Sequence, residues 1–112
     1  MRNHPPTGTV TFLFTDIEGS TLLSQQYPDA MSGLLARHNE ILDQTIQSHD
    51  GYIFLRVGDA FCAAFHSAGD ALHAALDAQR CLFKESWAPA PVKVRMGIHT
   101  GDAQTGGDGQ YS

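Results

Sequence analysis

A chain of 112 residues fits one compact domain, and its 42% hydrophobic against 17% charged residues is the balance of a folded chain, which excludes a disordered one. Seven Lys and Arg against twelve Asp and Glu leave a formal charge of −5, so a basic nucleic-acid or anionic-membrane surface is not expected. Apolar runs are short, and neither a bilayer-spanning helix of about 20 apolar residues nor the apolar core of a secretory signal is present in the sequence.

Residues 1–8 (MRNHPPTG) read as a flexible lead to a single domain over 9–112. Thr9 to Asp16 (TVTFLFTD) is dense in β-branched and aromatic residues, which predicts a central strand covered on both faces. It runs into Ile17-Glu18-Gly19-Ser20-Thr21, where Gly19 permits a bend and Ser20 or Thr21 can cap a short helix. After Pro28, apolar or small polar positions recur at Met31, Leu34, Leu35, His38, Ile41, Leu42, Thr45 and Ile46. Steps of three and four predict an amphipathic helix ending near Asp50-Gly51.

Tyr52–Val57 and Ala60–His66 read as two strands joined by a hairpin turn at Gly58-Asp59. Ser67 to Asp70 has the form of a helix cap. It opens an alanine-rich helix running through Leu72, Leu76, Gln79, Leu82 and Phe83, which stops before Pro89-Ala90-Pro91. Val92 to His99 alternates apolar and polar, as an edge strand with one wet face would. Cys62 and Cys81 have no CxxC spacing and read as buried, reduced thiols, hence a cytoplasmic location. The histidines form no HxH or HExxH pair, so zinc is not expected. His38 and His73 read as partly buried helix residues, and His99 as surface or pocket-facing.

The order strand, helices, strand, strand, helix, strand is that of an α+β, ferredoxin-like split βαβ fold, a four-stranded antiparallel sheet with helices packed on one face. Its strand order is fourth, first, third, second. The end of the first strand then lies beside the start of the third, which brings Asp16 next to Asp59. Two carboxylates at one rim repel unless cations lie between them, and such oxygen donors suit Mg²⁺ or Mn²⁺ together with substrate phosphate. The amides of Gly19, Ser20 and Thr21 follow at a helix start that favours polyphosphate. Taken singly, Asp59 reads as an ordinary hairpin residue and Glu18 as a loop acid.

Three stretches resemble class III adenylate/guanylate cyclase catalytic domains. Phe12-Leu13-Phe14-Thr15-Asp16-Ile17-Glu18-Gly19-Ser20-Thr21 is similar to their opening motif, Val57-Gly58-Asp59-Ala60-Phe61 to the second metal motif, and Arg95-Met96-Gly97-Ile98-His99-Thr100-Gly101 to a third stretch. The resemblance implies that Asp16 and Asp59 ligate two Mg²⁺ or Mn²⁺ ions with the Ile17 carbonyl. It implies that Ile17, Glu18, Gly19, Ser20 and Thr21 hold the triphosphate. The implied reaction makes a 3′,5′-cyclic nucleotide and pyrophosphate from a nucleoside triphosphate, ATP ahead of GTP, by two-metal catalysis in signal transduction. A homodimer or a complementary cyclase subunit is the implied partner.

The pattern departs from the family twice. The base-pocket position that the family fills with lysine is Leu55 here, and the adjacent Arg56 points to the other face of its strand. The family's transition-state Asn and Arg segment lies beyond the last residue, so an incomplete catalytic domain, inactive by itself, is expected. A non-catalytic nucleotide-binding or dimerisation module is the alternative. An aspartyl phosphatase loop built on Asp16-Ile17-Glu18-Gly19-Ser20 would need a parallel sheet instead.

Overall fold

The structure is a computed structural model that describes residues 5–103. Those residues form β1 (Gly8–Ile17), α1 (Ser20–Gln26), α2 (Met31–Ser48), β2 (Tyr52–Val57), β3 (Ala60–Phe65), α3 (Ala68–Lys84) and β4 (Val94–Ala103). The four strands make one sheet in the order β2-β3-β1-β4, and every neighbouring pair is antiparallel. The expected split βαβ order is the observed one, and an antiparallel sheet gives an aspartyl phosphatase loop no parallel frame. Residues 1–4 of the expected flexible lead lie outside the described residues, and of the rest Pro6 is buried and Gly8 already belongs to β1.

The fold follows from which face of each strand finds a helix. Leu13 and Ile17 of β1, with Phe61, Ala63 and Phe65 of β3, point at α2 and α3 and are buried. From α2 they meet Leu34, Ile41, Leu42 and Ile46, the stripe that the three- and four-residue spacing predicted. His38 belongs to that stripe and is fully buried, with its ring edge-on to Phe61 at 5.7 Å. Its Nδ1 lies 2.8 Å from the Asn39 Oδ1, so this nitrogen carries the proton, and the buried Nε2 has no partner. Burial lowers the His38 pKa, partly offset by its contacts with Asn39 and Asp59, and keeps the ring neutral.

Several expectations need correcting. β1 is covered on both faces only along its first half: Val10 is buried with Ala64 and Ala103 on the face away from the helices, whereas Phe14, farther along that face, is 42% exposed. The third helix turns its alanines inward. Ala71, Ala74, Ala75, Ala78 and Leu82 are buried, whereas Leu72, Leu76 and Phe83 face outward, Phe83 being 91% exposed. Small alanines let α3 sit close to the sheet, and close approach outweighs the size of any one side chain. Ser67 caps this helix as expected, accepting the Asp70 N–H at 3.1 Å. Cys62 is half-buried and Cys81 exposed, so the thiols are free but not both buried. His73 is exposed rather than partly buried.

β4 starts two residues later than expected and runs on to Ala103, because it pairs with β1 over ten positions from Ile17↔Val94 to Gly8↔Ala103. In β2 a bulge between Ile53 and Leu55 resets the register. Leu55 then lies opposite Cys62 on the open face, and Arg56 opposite Phe61 on the helix side. There Arg56 pairs with Asp43 of α2 and covers the Phe61 ring at 4.8 Å.

Candidate active site

Asp16 is the last polar residue of β1, and the strand alternation directs it to the open face. Its register partner is Arg95 of β4. The guanidinium grips the carboxylate as a fork, Nε donating to Oδ1 and an Nη nitrogen to Oδ2, each at 2.9 Å. Those hydrogen bonds hold the Arg95 pKa above its ordinary value, and Glu18 and Asp59 add further attraction. Three carboxylates therefore act on one guanidinium at this rim.

Asp59 occupies the turn between β2 and β3, which Gly58 makes possible with a φ of 57°. Its Oδ2 accepts the N–H of Ile17 at 2.5 Å, one residue from Asp16. The hairpin carboxylate is thus tied to the end of the first strand, and both acids stand at the same rim of the sheet. Beyond them, Glu18 is exposed, and its N–H donates to the Lys93 carbonyl at 2.8 Å, which anchors the loop to the start of β4. Gly19 then takes φ 66° and ψ 33° and serves as the cap of α1. Ser20 is the first helical residue, and no side chain caps α1, so neither Ser20 nor Thr21 plays the capping role expected of it.

Two hollows flank the carboxylates. One, of about 330 Å³, runs over the open face between Phe14, Asp16, Ala60, Cys62, Arg95 and Gly97. The other, of about 400 Å³, lies between Ser20, Thr21, Ser24, Leu35, Gly58 and Asp59. Leu55 is 43% exposed on the open face, opposite Cys62, whose thiol is pushed up in pKa by burial. His99 is exposed on the same face, opposite Phe12, and Asp102 accepts from the Thr9 hydroxyl at 3.3 Å at the far end of β4. A larger hollow of about 580 Å³ near Phe83, Trp87 and Pro91 contains a single carboxylate, Glu85, which is paired with Arg37.

Among the described residues, no three His, Cys, Asp or Glu side chains form a ready cation cage. Asp16 and Asp59 instead offer carboxylate oxygens, with Glu18 nearby. That is the donor set of a hard cation that keeps part of its water shell, so Mg²⁺ or Mn²⁺ fits the residues present. Arg95 is the member of this site that sequence reasoning passed over. A signal was available: the alternation of β4 puts it on the polar face, and the antiparallel order aligns that face with Asp16.

The molecule is an α+β domain, an antiparallel split βαβ sheet that carries Asp16 and Asp59 at one rim. The sequence profile of the adenylate and guanylate cyclase catalytic domain matches residues 3–112, and the chain belongs to that family. An uncharacterised protein of Mycobacterium tuberculosis is 41% identical over 102 residues, covering 89% of this chain and 34% of that protein. The adenylate cyclase of Lachancea kluyveri is 37% identical over 93 residues, 83% of this chain but 5% of that protein. A Trypanosoma brucei adenylate cyclase, solved in its monomeric state, superposes with a TM-score of 0.85 at 27% identity, over 98% of this chain and 64% of that one. The chain thus spans about a third of the length of its mycobacterial relative. No helix among the described residues is long and apolar enough to cross a membrane.

Proposed function

We propose that this chain is the metal- and phosphate-holding part of a class III nucleotide cyclase domain, acting on a nucleoside triphosphate, ATP ahead of GTP, in signal transduction. The observation that carries the reading is the tie between the Asp59 carboxylate and the Ile17 amide beside Asp16. Asp16, Asp59 and the Ile17 carbonyl would hold two Mg²⁺ or Mn²⁺ ions. Bound there, the ions would supply a lower pKa for the attacking 3′-hydroxyl and charge compensation for the departing pyrophosphate. The chain's own share is positioning. Gly19 turns the backbone so that Ser20 and Thr21 begin a helix beside the rim, and the Ile17–Thr21 loop would line the triphosphate. Arg95 must release Asp16 for an ion to reach it, which leaves a free guanidinium at the place where phosphate charge accumulates.

The open face of the sheet, with Phe14, Leu55 and Val57 uncovered, supports association with a second cyclase subunit, another copy or a complementary one. Leu55 favours the second reading, a cyclase-like nucleotide-binding or dimerisation module without turnover, because a leucine offers the base no hydrogen bond. Calorimetry with Mn²⁺ and a non-hydrolysable ATP or GTP analogue tests the site. Binding that disappears in Asp16→Ala and Asp59→Ala supports it, and no binding by the parent chain refutes it. Cyclic nucleotide formation from MnATP by the isolated chain then separates the enzyme from the module.

A further inference from the structure

We propose that Arg95 is a resident counter-ion for Asp16, which a divalent cation must displace, so that the fork keeps the acidic rim assembled without metal and weakens its hold on free ions. The proposal rests on reading Asp16 as a cation ligand.

The fork takes one lone pair on each oxygen of Asp16, at 2.9 Å in both cases. A guanidinium has five donors in a rigid plane and cannot lose its proton, so it satisfies a carboxylate as fully as one side chain can. The pair is also placed by the fold. Asp16 and Arg95 are direct register partners in a ladder of ten residue pairs, so the two strands deliver the side chains to each other. This is unlike the pair between Arg37 and Glu40, three residues apart on the exposed side of α2. Glu18 and Asp59 attract the same guanidinium, so a +1 charge already sits among three carboxylates.

A divalent ion approaching Asp16 meets that charge. It must compete for the same oxygens, and it is repelled by the guanidinium until the fork swings away. Arg95 is 66% exposed, so water screens the contest and offers the side chain somewhere to go. The expected penalty is therefore several-fold in affinity and not many orders of magnitude. A rim built this way keeps the Asp16 charge compensated in the absence of metal and holds stray cations less tightly.

The test is a Mn²⁺ titration without nucleotide, following free Mn²⁺ by electron paramagnetic resonance, on the parent, Arg95→Gln, Arg95→Lys and the double variant Arg95→Gln/Asp16→Asn. Arg95→Gln is expected to bind Mn²⁺ about three- to tenfold more tightly than the parent, the scale of a screened ion pair. Arg95→Lys should gain part of that increase, because an ammonium keeps the charge but cannot cover both oxygens. The gain should vanish in the double variant.

Equal or weaker binding by Arg95→Gln overturns the proposal. So does a Lys variant identical to the parent beside a tighter Gln variant, which would mean long-range charge alone. A gain that survives Asp16→Asn overturns it as well. If no variant binds Mn²⁺, with or without a non-hydrolysable triphosphate, the cyclase-site reading falls and the counter-ion falls with it. A flat Arg95 series with nucleotide-dependent binding intact removes only the counter-ion. Should Arg95→Gln not fold, the Arg95 Nε–H resonance of the parent decides: it should shift on adding Mg²⁺ and stay unmoved in Asp16→Asn, and no shift in the parent overturns the proposal.

Discussion

The two faces of the sheet are made by the same strands and differ in almost everything else. On one, Leu13, Ile17, Phe61 and Phe65 are buried against α2 and α3. On the other, Phe14, Leu55 and Val57 stand in the open, beside Asp16 and Arg95. Because alternate residues of a strand point opposite ways, β1 serves both purposes, with Leu13 and Ile17 building the core while Phe14 and Asp16 face the site. The core and the candidate site are thereby assigned to different residues of one strand. Exposed side chains at the site end of the open face can change without disturbing the packing beneath, whereas Val10 and Ala64 at its other end, like the residues of the covered face, cannot.

The largest effects should come from the covered face. Leu42 is fully buried in the cluster between α2 and the sheet. Leu42→Ala should cost about 2–5 kcal/mol, the range for emptying a leucine site in a core, measured by urea denaturation. A cost below about 1 kcal/mol would mean that the helices are not packed against the sheet as described.

His38 gives the next effect. Burial holds its folded pKa below the ordinary 6.5, so between the folded value and 6.5 the unfolded chain binds more protons at this position. Stability contributed by the neutral ring is present above pH 6.5 and is lost as pH falls through that window, at a rate of up to about 1.4 kcal/mol per pH unit. His38→Gln should flatten this slope in midpoints measured between pH 5 and 8. An unchanged slope would place the titration elsewhere. Ser67→Ala follows at about 1 kcal/mol, the usual cost of losing an N-cap, because the hydroxyl accepts the Asp70 amide. Thermal unfolding measures it.

What the sequence disclosed divides along the same line between the faces. The stripe of α2 was legible because its large apolar residues all point one way. The neighbourhood of Asp16 and Asp59 was legible because connection order alone puts the end of the first strand beside the start of the third. Both depend on periodicity and topology, which are written locally. The inner side of α3 was not legible. Its large residues Leu72, Leu76 and Phe83 point outward, and alanines such as Ala71 and Ala78 make the contact, so the size of the apolar side chains does not mark the inner side. The fork between Asp16 and Arg95 joins residues 79 positions apart. It depends on the β1–β4 register, and register is a property of the pairing that neither strand specifies by itself. Cys81 was misplaced for the same reason as α3, since its exposure follows from which side of that helix meets the sheet.

The smallest stability effect should come from Leu55→Lys, and it bears most directly on the comparison between the faces. Leu55 is 43% exposed and lies opposite Cys62, so replacing it removes little buried apolar area and leaves no cavity. The lysine stem covers the same surface while its ammonium reaches water. Stability should therefore change by no more than about 0.5 kcal/mol, the range for surface substitutions. A loss of 2 kcal/mol in denaturation would show that the face is covered and would erase its distinction from the helix side. Nucleotide binding should respond where stability does not, because the new ammonium supplies the hydrogen-bond donor that leucine lacks beside the groove over Phe14 and Cys62. Comparing Mn²⁺-dependent binding of ATP and GTP analogues by Leu55→Lys and the parent checks this. A changed ratio at constant stability makes the open face the place where the base is read. An unchanged ratio moves that role to residues other than Leu55.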